Sequence, residues 1–496
     1  MGRASIASLG RLFGDRTRLF FGALACILAL GAWLRIAGSS GALWFDEIWS
    51  LQNLEGLSGP GGIIWGISQD NNHFLNSLWL WLVGPGASPL RMRAMAIAFG
   101  CGSIVMASRI VHREAGRTGA LTAALLFAAS PILVQYGSEA RGYSGMVFGL
   151  LWAVDALSRF LDQPRANRPR LEFGLAIAIG ALSHIEMLPA AAVLAGAVVV
   201  CIAWRTHEVA EVARAARDLA SAYTLGAAPV GLAIAAGILN THVIRFGDQT
   251  PFTVEKWLEG LGAMERTTLA LPQSFGDAAP LAATLGLIAV AALAIRRDFV
   301  LLTGALVVVF PLAEAAVRMP NVHIARFHLA CAIGLLLLLA SVLARLWERA
   351  GHMRVVAGAL LAAGALGATV SLAAFLQAGR GDYVGAIRTM GTGTYTSNDE
   401  AIAKRTVRFY APRVGAQLEW TSADRCGHLP DWFVHVDDNR NTNPPASTEM
   451  LGPASCQVAY NLRSVHPYAG LSGVRWSIYR RADSSESNAA GHGSTQ

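Results

Sequence analysis

Long apolar runs separated by short polar clusters fill the first three quarters of this chain. A spanning helix needs about 20 mostly apolar residues, because the hydrocarbon core is about 30 Å thick. On that ruler about eleven stretches qualify: residues 19–37, 90–110, 119–134, 145–161, 171–183, 188–204, 219–239, 280–295, 300–317, 329–346 and 355–376. Beyond residue 376 the pattern becomes that of a soluble domain. Ser397 or Asn398 followed by Asp399 and Glu400 predicts a helix start, with the helix running to Tyr410. Residues 432–436, 457–462 and 474–479 alternate as strands do. The pattern predicts an α-helical polytopic membrane module over 1–376, a small extracytoplasmic α/β domain over 377–483 and a disordered polar tail over 484–496.

Residues 38–89 are neither plainly polar nor plainly spanning. Ile63, Ile64, Trp65 and Ile67 form one apolar block, and residues 74–82 another with two tryptophans. Tryptophan favours the membrane interface, so two helices lying on or dipping into the outer leaflet are expected. One extra span is the alternative, and it would invert everything downstream.

Composition supports the membrane reading: 53% of residues are hydrophobic and 15% charged, against about 25% charged in soluble domains. The net charge of +7 is first a topology signal. Arg11, Arg16 and Arg18 form one basic set; Arg109, Arg113 and Arg117 another; Arg165, Arg168 and Arg170 a third. Arg205, Arg214 and Arg217, then Arg296 and Arg297, then Arg345, Arg349 and Arg354 continue the series. An N-in topology places every set in the cytoplasm, and an odd number of spans puts the C-terminal domain outside. The arginine pattern also argues against the extra span. The first span reads as a retained anchor, since no small-residue cleavage site precedes Trp44. A multi-pass protein of a bacterial inner membrane is expected, with membrane lipids and no nucleic acid as partners.

Four of the six cysteines, Cys26, Cys101, Cys201 and Cys331, lie in apolar spans as small hydrophobes. Cys426 and Cys456 lie in the outward domain, where pairing is expected. No zinc spacing is present.

Candidate chemistry collects on the outer side. Trp44-Phe45-Asp46-Glu47 puts two carboxylates just beyond the first span, and ionisable groups at such a boundary are functional candidates. Asp46 is a candidate base, or the N-cap of a helix starting at Ile48. Further outer turns hold Glu139, Arg141 and Tyr143, then Arg326, whereas His184 and Glu186 in the turn between read as residues that cap it. Among the spans, Asp155 and Glu314 are the main ionisable exceptions. A carrier or flippase of lipid-linked saccharides would keep more such groups within its spans.

The ordered set of motifs carries a resemblance. After Asp46-Glu47 come Asn72-His73-Phe74-Leu75-Asn76-Ser77-Leu78, Leu90-Arg91-Met92-Arg93, Ser130-Pro131, Ser138-Glu139-Ala140-Arg141-Gly142-Tyr143, Ser183-His184 and Arg326-Phe327. This order resembles the GT-C superfamily of polytopic glycosyltransferases, in the branch of protein O-mannosyltransferases and lipid A aminoarabinose and galacturonosyl transferases. The resemblance covers nearly the whole chain and is most specific over residues 40–145. It implies inverting sugar transfer from a polyprenyl-phosphate donor to a lipid, glycan or protein acceptor at the extracytoplasmic face. It implies Asp46 as base, with Glu47 supporting it, binding a metal or facing water. It implies His73, Glu139, Arg141, Tyr143 and Arg326 as substrate contacts. Two departures stand out. Many relatives carry His-Pro-Pro where this chain has His73-Phe74-Leu75, and the first loop holds no Asp-x-Asp, which leaves a divalent metal an open possibility.

Overall fold

The computed structural model describes residues 3–67, 69, 71–243, 245, 247, 249–276, 278–349, 351–422, 429–437, 449–451 and 458–482. The chain divides into two compact units, Met1–Ser39 with Leu54–Ser371 and Ser40–Asn53 with Leu372–Gln496. Cys426, Cys456 and the expected tail 484–496 lie outside the described residues.

The helices in chain order begin with α1 (Arg3–Gly38), α2 (Phe45–Gln52), α3 (Gly62–Trp65), α4 (Phe74–Val83), α5 (Pro89–Ala129) and α6 (Pro131–Tyr136). Then follow α7 (Tyr143–Asp162), α8 (Asn167–Ser183), α9 (Met187–Thr206), α10 (Val209–Thr241), α11 (Val254–Leu269) and α12 (Ala278–Ala294). The series closes with α13 (Arg297–Gly304), α14 (Phe310–Ala316), α15 (Leu329–Glu348), α16 (His352–Ala378), α17 (Tyr383–Met390) and α18 (Glu400–Val414). All but α2, α17, α18 and the end of α16 belong to the first unit.

Among the described residues, eight helical stretches are long and apolar enough to cross a membrane. The expected count of about eleven treated 90–110 and 119–134 as separate spans. Within α5 they are two helices joined at a break, where Ala115 takes φ −137° and Gly116 takes φ 59°, so that division stands although the two together count as one long apolar stretch among the eight. Glycine enters that left-handed region without a Cβ penalty. The count also included α8 and α12, which at 17 residues each are short for a span. The start of α5 is locally encoded: Pro89 stands at its first turn and Ser88 accepts a hydrogen bond from the Arg91 N–H.

The centre of the first unit is α15, whose apolar stretch is 89% enclosed by protein, whereas that of α1 is 17% enclosed and lies at the periphery. The in-span Asp155 of α7 is buried but paired, 3.3 Å from Arg109 and 2.9 Å from Arg159. Buried charge persists only with such partners.

The second unit is a six-stranded mixed sheet with α17 and α18 packed on it. Its strands are β1 (Thr392–Ser397), β2 (Gln417–Trp420), β3 (Trp432–Asp437), β4 (Glu449–Leu451), β5 (Ala459–His466) and β6 (Arg475–Arg481), ordered β2-β1-β3-β6-β5-β4. β1 runs parallel to β2 and β3, and the other pairings are antiparallel. The predicted helix is α18, where Asp399 caps by accepting from the Ile402 N–H at 2.9 Å. β1, β2 and β4 escape the alternation test. β1 reads Thr-Gly-Thr-Tyr-Thr-Ser, and the other two are too short to show a period.

Candidate active site

Asp46 and Glu47 sit on α2 in the second unit. The helix begins at Phe45, three residues ahead of the expected start at Ile48, with Trp44 as its N-cap. Asp46 is therefore inside the first turn and is not the N-cap. Tryptophan offers no cap oxygen, and the Glu47 carboxylate turns back to accept the Trp44 N–H at 3.1 Å. Glu47 is fully buried and Asp46 nearly so. The Ser50 hydroxyl donates to the Asp46 carbonyl at 2.9 Å, closing the turn behind it.

Within the first unit a second polar cluster forms where α4, α7 and α8 begin or end. The Asn76 amide donates to the Ala140 carbonyl at 2.6 Å, tying α4 to the Glu139–Tyr143 turn. The Arg141 guanidinium donates to the side-chain oxygen of Asn71 and, at 3.1 Å, to the Tyr143 hydroxyl. Its backbone N–H meets the Glu139 carbonyl at 2.8 Å. Glu139, Arg141 and Tyr143 are all buried. The Tyr143 ring packs 5.7 Å from His73 and 4.8 Å from His184, and the two imidazoles stack at 4.9 Å.

Hydrogen bonding assigns the imidazole tautomers. Nδ1 of His73 lies 3.1 Å from the Ser183 carbonyl, which can only accept, so Nδ1 carries the proton. Nε2 is then a buried lone pair with no partner among the described residues. Nδ1 of His184 accepts the Glu186 N–H at 3.3 Å, which puts its proton on Nε2. Burial, then the charge of Arg141, holds His73 well below 6.5. Burial, Arg141 and Arg326 push His184 down to about 3. Burial, with the Glu314 carboxylate adding to it, lifts Glu186 well above the carboxylate range, and Arg326 opposes the shift. Both histidines are neutral hydrogen-bonding groups beside cationic arginines.

His73 and His184 also line a cavity of about 230 Å³ between α3, α4, the end of α8 and α10. Its walls are apolar, with Ile64, Ile67, Phe74, Val230 and Ile234. His73, Arg141, Tyr143 and His184 thus converge, and Arg326 acts on both histidines electrostatically. Asn71 and His328 carry no signal of their own in the sequence, and Glu314 stands out there only as an ionisable group within a span; its carboxylate lies 2.8 Å from Nδ1 of His328. Asn71 adjoins the Asn72-His73 motif, which was the available signal. The Glu314–His328 pair links residues from two separate helical segments and leaves no local trace. Among the described residues, no three His, Cys, Asp or Glu side chains are grouped to hold a metal ion.

No protein-family model and no curated protein matches the chain. Solved structures do. ArnT from Cupriavidus metallidurans in the apo state matches with a TM-score of 0.52 at 13% identity, over 92% of this chain and 98% of that one. The same protein bound to undecaprenyl phosphate gives 0.47 at 13% identity, over 95% and 98%. The Archaeoglobus fulgidus oligosaccharyltransferase, in complex with zinc and sulfate, gives 0.42 at 13% identity, over 71% of this chain and 53% of that one. At such identity the likeness speaks for the fold, and the apo ArnT match carries it. The chain shares the fold of that apo ArnT structure over most of its length, with apolar helices long enough to cross a membrane followed by a small C-terminal sheet.

Proposed function

We propose that the chain is an inverting glycosyltransferase that moves a sugar from a polyprenyl-phosphate donor to a lipid, glycan or protein acceptor at the extracytoplasmic face of a bacterial inner membrane. The observation that carries this reading is the cluster in which His73 and His184 line an apolar cavity while Tyr143 packs against both and holds Arg141 behind them. An amphiphile with an anionic head and a hydrocarbon chain fits that combination. Each buried methylene of the chain contributes about 0.8 kcal/mol, and a guanidinium suits the phosphate.

In this reading Arg141 and Arg326 hold the lipid phosphate and stabilise it as the leaving group. His73 has a different task from the one its charge class suggests. Its Nε2 lone pair repels phosphate oxygens but accepts a hydrogen bond from a sugar hydroxyl. Glu139 and Tyr143 complete the contacts. Asp46 takes the proton of the acceptor hydroxyl. The acceptor oxygen bonds to the anomeric carbon, the bond from that carbon to the phosphate oxygen breaks, and the lipid phosphate leaves with the electron pair. One displacement inverts the centre. Glu47 supports Asp46 by closing the helix turn on which it stands.

A carrier would need ionisable groups free to line a path. Asp155 is engaged by arginines and Glu314 by His328, which favours transfer over transport.

The test uses the full chain in proteoliposomes with undecaprenyl-phosphate pentoses, hexoses and uronic acids, and with lipid A and hydroxyl peptides as acceptors. Wild-type protein releases undecaprenyl phosphate and forms a glycoside. Asp46→Asn lowers turnover by about 10²–10⁴-fold with an unchanged melting temperature. Full activity of that variant overturns the assignment of the base. Movement of the lipid-linked sugar across the bilayer with no glycoside formed overturns the transferase.

A further inference from the structure

The α2 segment belongs to the second unit, and two side chains of α18 grip it there. The Tyr410 hydroxyl accepts the Leu43 N–H at 2.6 Å and donates to the Leu43 carbonyl at 3.1 Å, so it clamps both sides of one residue at the entry to α2. Phe45, Trp49 and Gln52 share one face of α2, at the four-and-three spacing of a helix. Arg405 lies along that face. Its guanidinium is 5.5 Å from the Phe45 ring centre and 5.0 Å from that of Trp49, and it meets the Gln52 side-chain oxygen at 3.4 Å. The two rings lie 5.8 Å apart. A guanidinium over two rings is bound by their quadrupoles, and partial burial strengthens that attraction.

We propose that Arg405 is a positioning residue for Asp46: it holds α2 through Phe45 and Trp49 and places a fixed positive charge in the field of the Asp46 carboxylate. The inference rests on the reading of Asp46 as base and goes beyond it, because it gives the C-terminal unit a part in catalysis. The electrostatics agree with the geometry. Burial lowers the hold of Arg405 on its proton and the neighbouring Arg408 adds to this, while Asp46 opposes both. The guanidinium and that carboxylate therefore attract one another. Local sequence contains no hint of it, since residues 46 and 405 are far apart along the chain.

The test compares Arg405→Gln, Arg405→Lys, Arg408→Gln and Asp46→Asn in the full chain. Arg408 is exposed on the same helix and serves as the control. Hydrogen–deuterium exchange of the amides of residues 45–53 is expected to quicken at least about ten-fold in Arg405→Gln and to stay near wild type in Arg405→Lys and Arg408→Gln. With whichever undecaprenyl-phosphate sugar the wild type consumes, Arg405→Gln loses on the order of 10²-fold in kcat at constant donor KM. Arg405→Lys, which keeps the charge and the ring contact, recovers part of that loss. Exchange at wild-type rates in Arg405→Gln, or turnover at wild-type rates in that variant, overturns the inference. The two failures separate cleanly. If Asp46→Asn is active, the base is misassigned. If Asp46→Asn is inactive and Arg405→Gln is not, only the positioning role falls. Should no donor be consumed, the proposed function falls, while the exchange data still decide whether Arg405 holds α2.

Discussion

His73 and His184 are stacked, buried and neutral beside arginines, and this ties stability to pH. An unfolded chain protonates each imidazole near 6.5, whereas His184 resists down to about 3. Below about 6.5 the unfolded state therefore binds more protons, and stability falls as pH drops through that window, by about 1.4 kcal/mol per unit for each such group. Glu186 has the opposite sign. Its raised carboxyl contributes stability below the usual carboxylate range and loses it as pH climbs through the raised value. The histidines and Glu186 thus pull in opposite directions, and the His184 contribution persists down to about 3. Thermal melts of His184→Gln in detergent are expected to show a flatter decline from pH 6.5 to 4 than wild type. An identical slope would mean that the imidazole is not held neutral by burial. His73 stands out in the sequence as a candidate in its Asn-His motif, whereas His184 reads there as a turn cap, and it does accept the Glu186 N–H. Which nitrogen carries the proton was not legible, because a carbonyl and an N–H from the 183–186 turn decide it.

At the scale of elements, the close approach of the Glu139–Tyr143 turn to the end of α8 depends on Gly142. A Cβ there would lie 1.7 Å from the Ser183 carbonyl oxygen and 3.1 Å from Nδ1 of His73. The first of these is backbone and cannot swing aside. Gly142→Ala is thus expected to destabilise the protein by about 1–3 kcal/mol and, on the proposed function, to weaken binding of the polyprenyl phosphate. Gly196→Ala makes a matched control. Nothing lies within 4 Å of its added methyl, so a change within about 0.5 kcal/mol is expected. Melting temperature and radiolabelled lipid-phosphate binding measure both effects. If Gly142→Ala binds and melts as wild type does, the contact is not a positioning one. The elements themselves divide by the strength of their local signals. α18 announces itself through Asp399, and α5 through Ser88-Pro89. The start of α2 was displaced because an inward-turning Glu47 substitutes for a cap side chain, which composition cannot reveal.

For the whole molecule, the arginine distribution makes a topological prediction. Single cysteines placed at Arg117, Arg165 and Arg349 are expected to react with an impermeant maleimide only after the membrane is opened. One at Thr389 is expected to react from outside in intact cells that expose the periplasm. The reverse pattern, with residues 117, 165 and 349 reacting from outside and residue 389 only after opening, would restore the extra-span alternative for residues 74–82, and reaction of both sets from the same side would refute the crossing by α16. The polytopic class was readable from the chain alone because hydrocarbon thickness and the penalty for buried charge act on windows of about 20 residues. The strand-bearing C-terminal region was readable for a similar reason, since apolar runs end there and alternation begins. The long-range associations came only with the folded chain. Residues 40–53 join the C-terminal unit, Arg405 lies over Phe45 and Trp49, and His73, Tyr143 and His184 stack beside an apolar cavity. Each of these depends on side chains that meet across long stretches of sequence. Such contacts arise from packing between segments, and no local window of hydropathy or motif spacing encodes them.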